Sequence, residues 1–224
     1  MPAPLPSFTL ALEQFGRALA TRSPEPLSPG TVLALHHHYQ ELALWNRTIS
    51  LIGPGTAEEV ISRHYGESLA ALPLIPPGAR TAVDIGSGAG FPGIVLAAAR
   101  PGLEVTLCEA RERKWAFLAA ASRRASLPCR CLNARVGIPL PTGLPEAIDL
   151  VTARAVRLEA EVLEALASRL APGGRILLWV GEDAPDLPPN LLPGHVLPLA
   201  GSDRRRILGL KRGLERAADP NGAP

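Results

Sequence analysis

Residues 81–93 read TAVDIGSGAGFPG. Thr81 to Ile85 form a short apolar run suited to a buried strand, and the glycines at 86, 88, 90 and 93 mark its turn into a helix over Gly90 to Arg100. Without a Cβ the backbone can take positive φ and bring N–H groups close to a ligand, so a ligand belongs at this turn. The alternation continues with strand Glu104 to Cys108, helix Arg111 to Ser126, strand Cys129 to Leu132, strand Ile148 to Thr152, helix Leu158 to Leu170 and strand Arg175 to Val180. A proline-rich passage, Ala184 to Pro198, then leads to a last strand over Arg206 to Leu210. Strands alternating with helices of this length predict an α/β fold, a mostly parallel sheet with helices on both faces.

Upstream of the sheet the pattern is helical. Prolines at 2, 4, 6, 24, 26 and 29 leave room for one short helix from Thr9 to Thr21. Val32, Leu35, Tyr39, Leu42 and Trp45 recur every three or four residues, which predicts an amphipathic helix over Gly30 to Arg47; Thr56 to Leu72 reads the same way. The link LIPPG, Leu74 to Gly78, ends this part. The division expected is therefore a helical N-terminal extension over 1–73, the sheet domain over 74–213 and a mobile tail over 214–224.

The chain has 224 residues, 46% hydrophobic and 20% charged, which excludes a wholly disordered or fibrous protein. No apolar run reaches the roughly 18 residues that span a bilayer, and the opening MPAPLPSF has no signal-peptide pattern, so no membrane and a cytoplasmic location are expected. Three cysteines, Cys108, Cys129 and Cys131, support neither a disulfide framework nor a zinc site and read as buried thiols. His36, His37 and His38 point about 100° apart on a helix and cannot converge on one metal ion, so no metal is expected. The net charge of +2 is too mild to indicate nucleic-acid binding by itself.

Gly88, Gly90 and Gly93 satisfy GxGxxG, so a dinucleotide site has to be weighed. Asp84 argues against it: a carboxylate at the end of the first strand would repel a pyrophosphate but meet a cationic amino group. Glu109 ends the second strand, where an acid accepts hydrogen bonds from both ribose hydroxyls. The ligand that matches these features is S-adenosylmethionine, which carries an ammonium, a sulfonium and an adenosine.

VDIGSGAGFPGI, Glu109 and the segment Arg113 to Leu118 together resemble the RsmG family, once called glucose-inhibited division protein B. Trp45-Asn46 with Ile49 and Leu51, Arg63-His64 with Glu67-Ser68-Leu69, Thr152 to Ala155, Pro172-Gly173-Gly174 and Arg205 to Lys211 resemble its flanking elements, so the likeness spans about residues 30 to 212. It implies a Rossmann-like, S-adenosylmethionine-dependent methyltransferase fold and methylation of N7 of a guanine, guanine-527, in 16S ribosomal RNA. It further implies cofactor contacts at Gly86, Phe91, Arg135, Val136 and Arg154. The chain departs from the family pattern at Gly137, where a Glu is usual, at Val180, where a Lys is usual, and at Ser50 and Ile52.

Guanine N7 has an exposed lone pair, so methyl transfer needs no general base, and no catalytic acid–base residue is assigned. The protein's task is to hold nucleophile, methyl carbon and sulfur nearly collinear at about 3 Å. Phosphate contacts would fall to arginines. Arg63, His64, Arg157, Arg204, Arg205 and Arg206 are the RNA-binding candidates, whereas Arg123 and Arg124 read as a solvated helix face. The expected partner is 16S ribosomal RNA or the small ribosomal subunit, approached by a monomer. Two other readings stay open: an NAD(P)-dependent oxidoreductase built on the GxGxxG subset, and a catalytically silent RNA-binding assembly protein.

Overall fold

The computed structural model describes residues 10–183 and 185–213; the tail expected over 214–224 and the first prolines lie outside the described residues. Seven strands form one sheet: β1 Thr81–Ile85, β2 Glu104–Cys108, β3 Arg130–Leu132, β4 Ile148–Arg154, β5 Leu170–Val180, β6 Leu191–Pro198 and β7 Arg206–Arg212. Their order is β3-β2-β1-β4-β5-β7-β6, parallel from β3 to β5, with β7 antiparallel to both β5 and β6. The order reverses between β1 and β4, and a crevice opens at the carboxyl ends of the strands at such a switch point.

The period of two along the strands divides the core. Ala82, Leu107, Leu150 and Leu177 face one way and belong to one buried cluster; Val83, Ile85, Val151 and Leu178 face the other. Helix α7, Ala160–Ser168, covers the second face with Val162, Leu163 and Leu166. The first face is covered by α5, Gly93–Ala99, and α6, Glu112–Arg124, and equally by the N-terminal helices. These are α1, Leu12–Ala20, α2, Pro29–Trp45, and the segment of α3, Ala57–Val60, and α4, Glu67–Leu69. Phe15, Leu35, Tyr39, Leu42 and Tyr65 are buried in the same cluster as the sheet residues, so the N-terminal helices complete the core of that face.

Local signals explain the helix starts. Ser28 caps α2 by accepting from the Thr31 N–H, with Pro29 at the first helical position, and Thr56 and Glu59 form a capping box at α3. Three sequence expectations change. The run Thr56 to Leu72 is interrupted by π-helical turns over Ile61–Gly66, a local register change often found at functional sites. The proline-rich passage contains β6, an exposed edge strand whose register shifts between Pro193 and Val196, and edge strands are where proline is tolerated. Its side chains do not alternate in burial, which is why no strand pattern is visible there. β5 also begins at Leu170, taking the Pro172-Gly173-Gly174 turn into an irregular strand start.

Candidate functional site

A cleft of about 630 Å³ opens at the carboxyl ends of β1, β2 and β4. Its floor is the glycine turn. Gly86 and Gly88 have φ of +66° and +53°, and a Cβ on Gly86 would sit 2.3 Å from a methyl of Val156 on the opposite wall. A Cβ on Gly88 would meet only open space and the Gly86 carbonyl at 3.6 Å, which leaves the backbone accessible from the cleft. The Gly88 N–H donates to Glu109 Oε2 at 3.0 Å, and the Arg111 N–H donates to Glu109 Oε1 at 2.8 Å. Two backbone donors thus fix the carboxylate of Glu109 in the cleft wall, and each oxygen keeps a second lone pair for ligand hydroxyls.

Asp84 is placed otherwise than its position in the motif suggests. It stands directly opposite Thr152 in the parallel pair of β1 and β4, and Thr152 Oγ1 donates to its Oδ1 at 2.6 Å. The Gly93 N–H donates to Oδ2 at 3.3 Å, and Asp84 is 1% exposed and does not line the cleft. Desolvation pushes its carboxyl up to about 6, against the pull of these hydrogen bonds. Its work in this geometry is to fasten β1 to β4 and to the start of α5. Gly90 also faces away: its open side meets Ile94 and His38. Gly86, Gly88, Phe91, Glu109, Arg135 and Val136 do line the cleft, as does Arg154.

Beside the glycine turn, the end of β4 and the π-helical turns bring an ion-paired arginine and a histidine to the cleft. Arg154 pairs with Glu67 at 2.9 Å and donates to the carbonyls of Arg63 and His64, so it holds the π-helical turns against β4. Arg205 reaches Glu67 from the other side. Burial raises the Glu67 carboxyl, opposed by Arg154 and Arg205. His64 stacks on Phe91 at 5.0 Å and 22°, and burial, with Arg154, Arg63 and Arg205 nearby, lowers its imidazole to about 3, so it is neutral at pH 7. Of the RNA-binding candidates, His64 and Arg157 line the cleft, whereas Arg63 contributes its carbonyl. Arg204 pairs on the surface with Glu182, and Arg206 donates to the carbonyls of Gly181 and Glu182. The arginine run therefore does not reach the cleft.

Composition and motif reasoning missed several parts of the site. Arg111 and Lys114 lie on the cleft at the start of α6, and Leu51 and Ile52 form part of its wall. The last two are set by Asn46, whose Oδ1 accepts from both of their N–H groups at 2.8 and 3.0 Å, so the Trp45-Asn46 motif is a loop-shaping device. Trp179 donates to the Glu67 carbonyl and does not line the cleft. Arg124 is tied to Gln40 and Glu41 of α2 and is not a freely solvated residue. Cys108 is buried and the other two thiols half-buried; burial raises all three, Cys108 and Cys129 to about 12, so they stay protonated. Among the described residues, no group of three or more His, Cys, Asp or Glu is placed to hold a metal ion. Among the same residues, no helix is long and apolar enough to cross a membrane.

A S-adenosylmethionine-dependent methyltransferase from Aquifex aeolicus shares the fold, with a TM-score of 0.52 at 14% identity over 68% of this chain and 92% of that one. In sequence, the ribosomal RNA small subunit methyltransferase G of Anaeromyxobacter sp. is 37% identical over 180 residues, 80% of this chain and 81% of its own. The protein of that name from Paramagnetospirillum magneticum is 39% identical over 160 residues, 71% and 76% of the two chains. Residues 32–186 match the family described as GidB, rRNA small subunit methyltransferase G, and with most of the chain aligned to such relatives the protein belongs to that family.

Proposed function

We propose that the protein transfers the methyl group of S-adenosylmethionine to N7 of guanine-527 in 16S ribosomal RNA. The observation that carries this reading is one cleft that brings together two unlike sets of groups. One set is the carboxylate of Glu109 and the accessible backbone of Gly86 and Gly88; the other is a neutral imidazole, His64, and the guanidinium of Arg154. The bound cofactor supplies an electrophilic methyl group. Glu109 accepts from ribose hydroxyls, and Val136 and Val162 give the adenine apolar walls. Phe91, backed by His64, closes the cleft against water next to the glycine turn. Asp84 lies too deep to serve as an amine ligand in this geometry, and the amine is left to backbone carbonyls of the turn. Arg157, Arg111 and Lys114 at the cleft are the cations offered to RNA phosphates.

Calorimetric titration with S-adenosylmethionine and with NAD(P) separates the cofactors. Transfer of radiolabelled methyl to 16S RNA or small subunits from a strain lacking the modification, mapped by cleavage at 7-methylguanine, tests the base and its position. Binding of S-adenosylmethionine with no transfer to either substrate would leave the silent assembly protein standing, and binding of NAD(P) in its place would support the oxidoreductase. Light scattering of the free protein tests the monomer, and cell fractionation the cytoplasmic location.

A further inference from the structure

The three consecutive histidines of α2 diverge, and one of them goes to an unexpected place. His36 bonds the Leu10 carbonyl and His37 borders a separate groove, but His38 is wholly buried between α2, the π-helical turns and the glycine turn. Its Nε2 lies 2.9 Å from the Ala89 carbonyl and its Nδ1 lies 2.8 Å from the Tyr65 hydroxyl. A carbonyl only accepts, so Nε2 must carry the proton; Nδ1 is then a lone pair, and Tyr65 donates to it. Both ring nitrogens are satisfied in one tautomer only. The ring also meets Phe91 edge-on at 5.2 Å.

The turn takes one of its anchors from outside at this point. Gly88 is held by Glu109, the Ser87 N–H by the Cys108 carbonyl, and the Gly90 N–H by the Ser87 carbonyl. The Ala89 carbonyl is held by His38 Nε2, so the peptide between Ala89 and Gly90 is fixed at its N–H from within the turn and at its oxygen from α2, and it ends on a glycine at φ +84°. We propose that His38 is a positioning residue: from the N-terminal helices it locks the Ala89–Gly90 peptide, and thereby the cofactor-facing backbone and the ring of Phe91, in the geometry that receives the donor. Tyr65 fixes the tautomer that makes this possible. The N-terminal helices thus shape the cofactor site as well as completing the core. This inference rests on the reading of the cleft as the S-adenosylmethionine site.

The test compares His38→Leu, His38→Gln and Tyr65→Phe with Leu42→Ala, a buried α2 variant one helical turn beyond His38. With S-adenosylmethionine as probe, His38→Leu should weaken affinity about tenfold, the effect of losing one buried hydrogen bond. His38→Gln, which keeps a donor for the Ala89 carbonyl, should restore most of it. Turnover at saturating cofactor and RNA should change less than about threefold, a split between KM and kcat that general loosening would not produce. Leu42→Ala should lower the melting temperature comparably and leave affinity alone. Equal affinity in His38→Leu and wild type, or an equal loss in Leu42→Ala, overturns the proposal. Should His38→Leu fail to fold, nitrogen-15 shifts of the wild-type imidazole at pH 7 must report Nε2–H, and Tyr65→Phe must disturb them; an Nδ1–H ring would refute the arrangement. A wild-type protein that binds no S-adenosylmethionine would instead refute the cleft assignment itself.

Discussion

Replacing Asp84 by asparagine should change how stability depends on pH. In the fold this carboxyl sits at about 6, against 3.8 for an exposed aspartate, because burial between β1, β4 and α5 penalises its charge more than Thr152, Ser87 and Gly93 compensate. A rise of about 2 pH units at about 1.4 kcal/mol each makes the ionised form cost about 3 kcal/mol of folding stability at neutral pH. Since the folded value lies above the unfolded one, Asp84 favours folding most below about pH 4, and that benefit disappears as pH rises through 6. His38 and His64, lowered to about 4 and 3, act in the opposite sense, favouring the fold at neutral pH and losing their contribution in acid. The wild-type curve alone therefore mixes the groups, and the difference between variant and wild type isolates Asp84. Urea unfolding at pH 4.5, 5.5, 6.5 and 7.5 should show Asp84→Asn gaining on wild type by up to about 1.4 kcal/mol per unit below pH 6, with the difference constant above about 7. Parallel curves for the two proteins would refute the reasoning, because they would mean that the carboxylate is as well solvated or as well paired in the fold as outside it.

Gly86→Ala places a Cβ against Val156 at a positive φ, so it should reduce S-adenosylmethionine affinity at least about tenfold and destabilise the fold by about 1–2 kcal/mol, measured by calorimetry and thermal unfolding. Glu67→Ala strands Arg154 and half-exposed Arg205 and should cost about 3 kcal/mol, whereas Arg204→Ala, whose partner Glu182 is 63% exposed, should stay within about 0.5 kcal/mol in the same denaturation assay. Arg157→Ala should leave cofactor affinity unchanged and lower the salt slope of RNA binding by about one unit, read from filter binding across salt concentrations.

The strand and helix pattern from residue 80 onward was legible because it depends on local periodicity, and the glycine turn because positive φ selects its residue type. β6 was not, since an edge strand with exposed side chains on both faces carries no alternation and its prolines read as loop. The cleft shows the same division. The place of Glu109 in the cleft wall was legible because it follows directly on the end of a strand, and no distant partner alters it. Asp84 is one position before its own strand ends, and whether it meets ligand or interior depends on the register with β4, which puts Thr152 directly beside it. No property of the sequence near residue 84 encodes that register. His38 is the converse: a histidine in a run of three gives no local sign of function, yet folding brings it 51 residues along the chain to the Ala89 carbonyl. Motif reading thus places a residue where its position follows from its own strand and the adjacent backbone. It fails where the partner is a side chain or carbonyl supplied by another layer, and in this protein the N-terminal helices are that other layer.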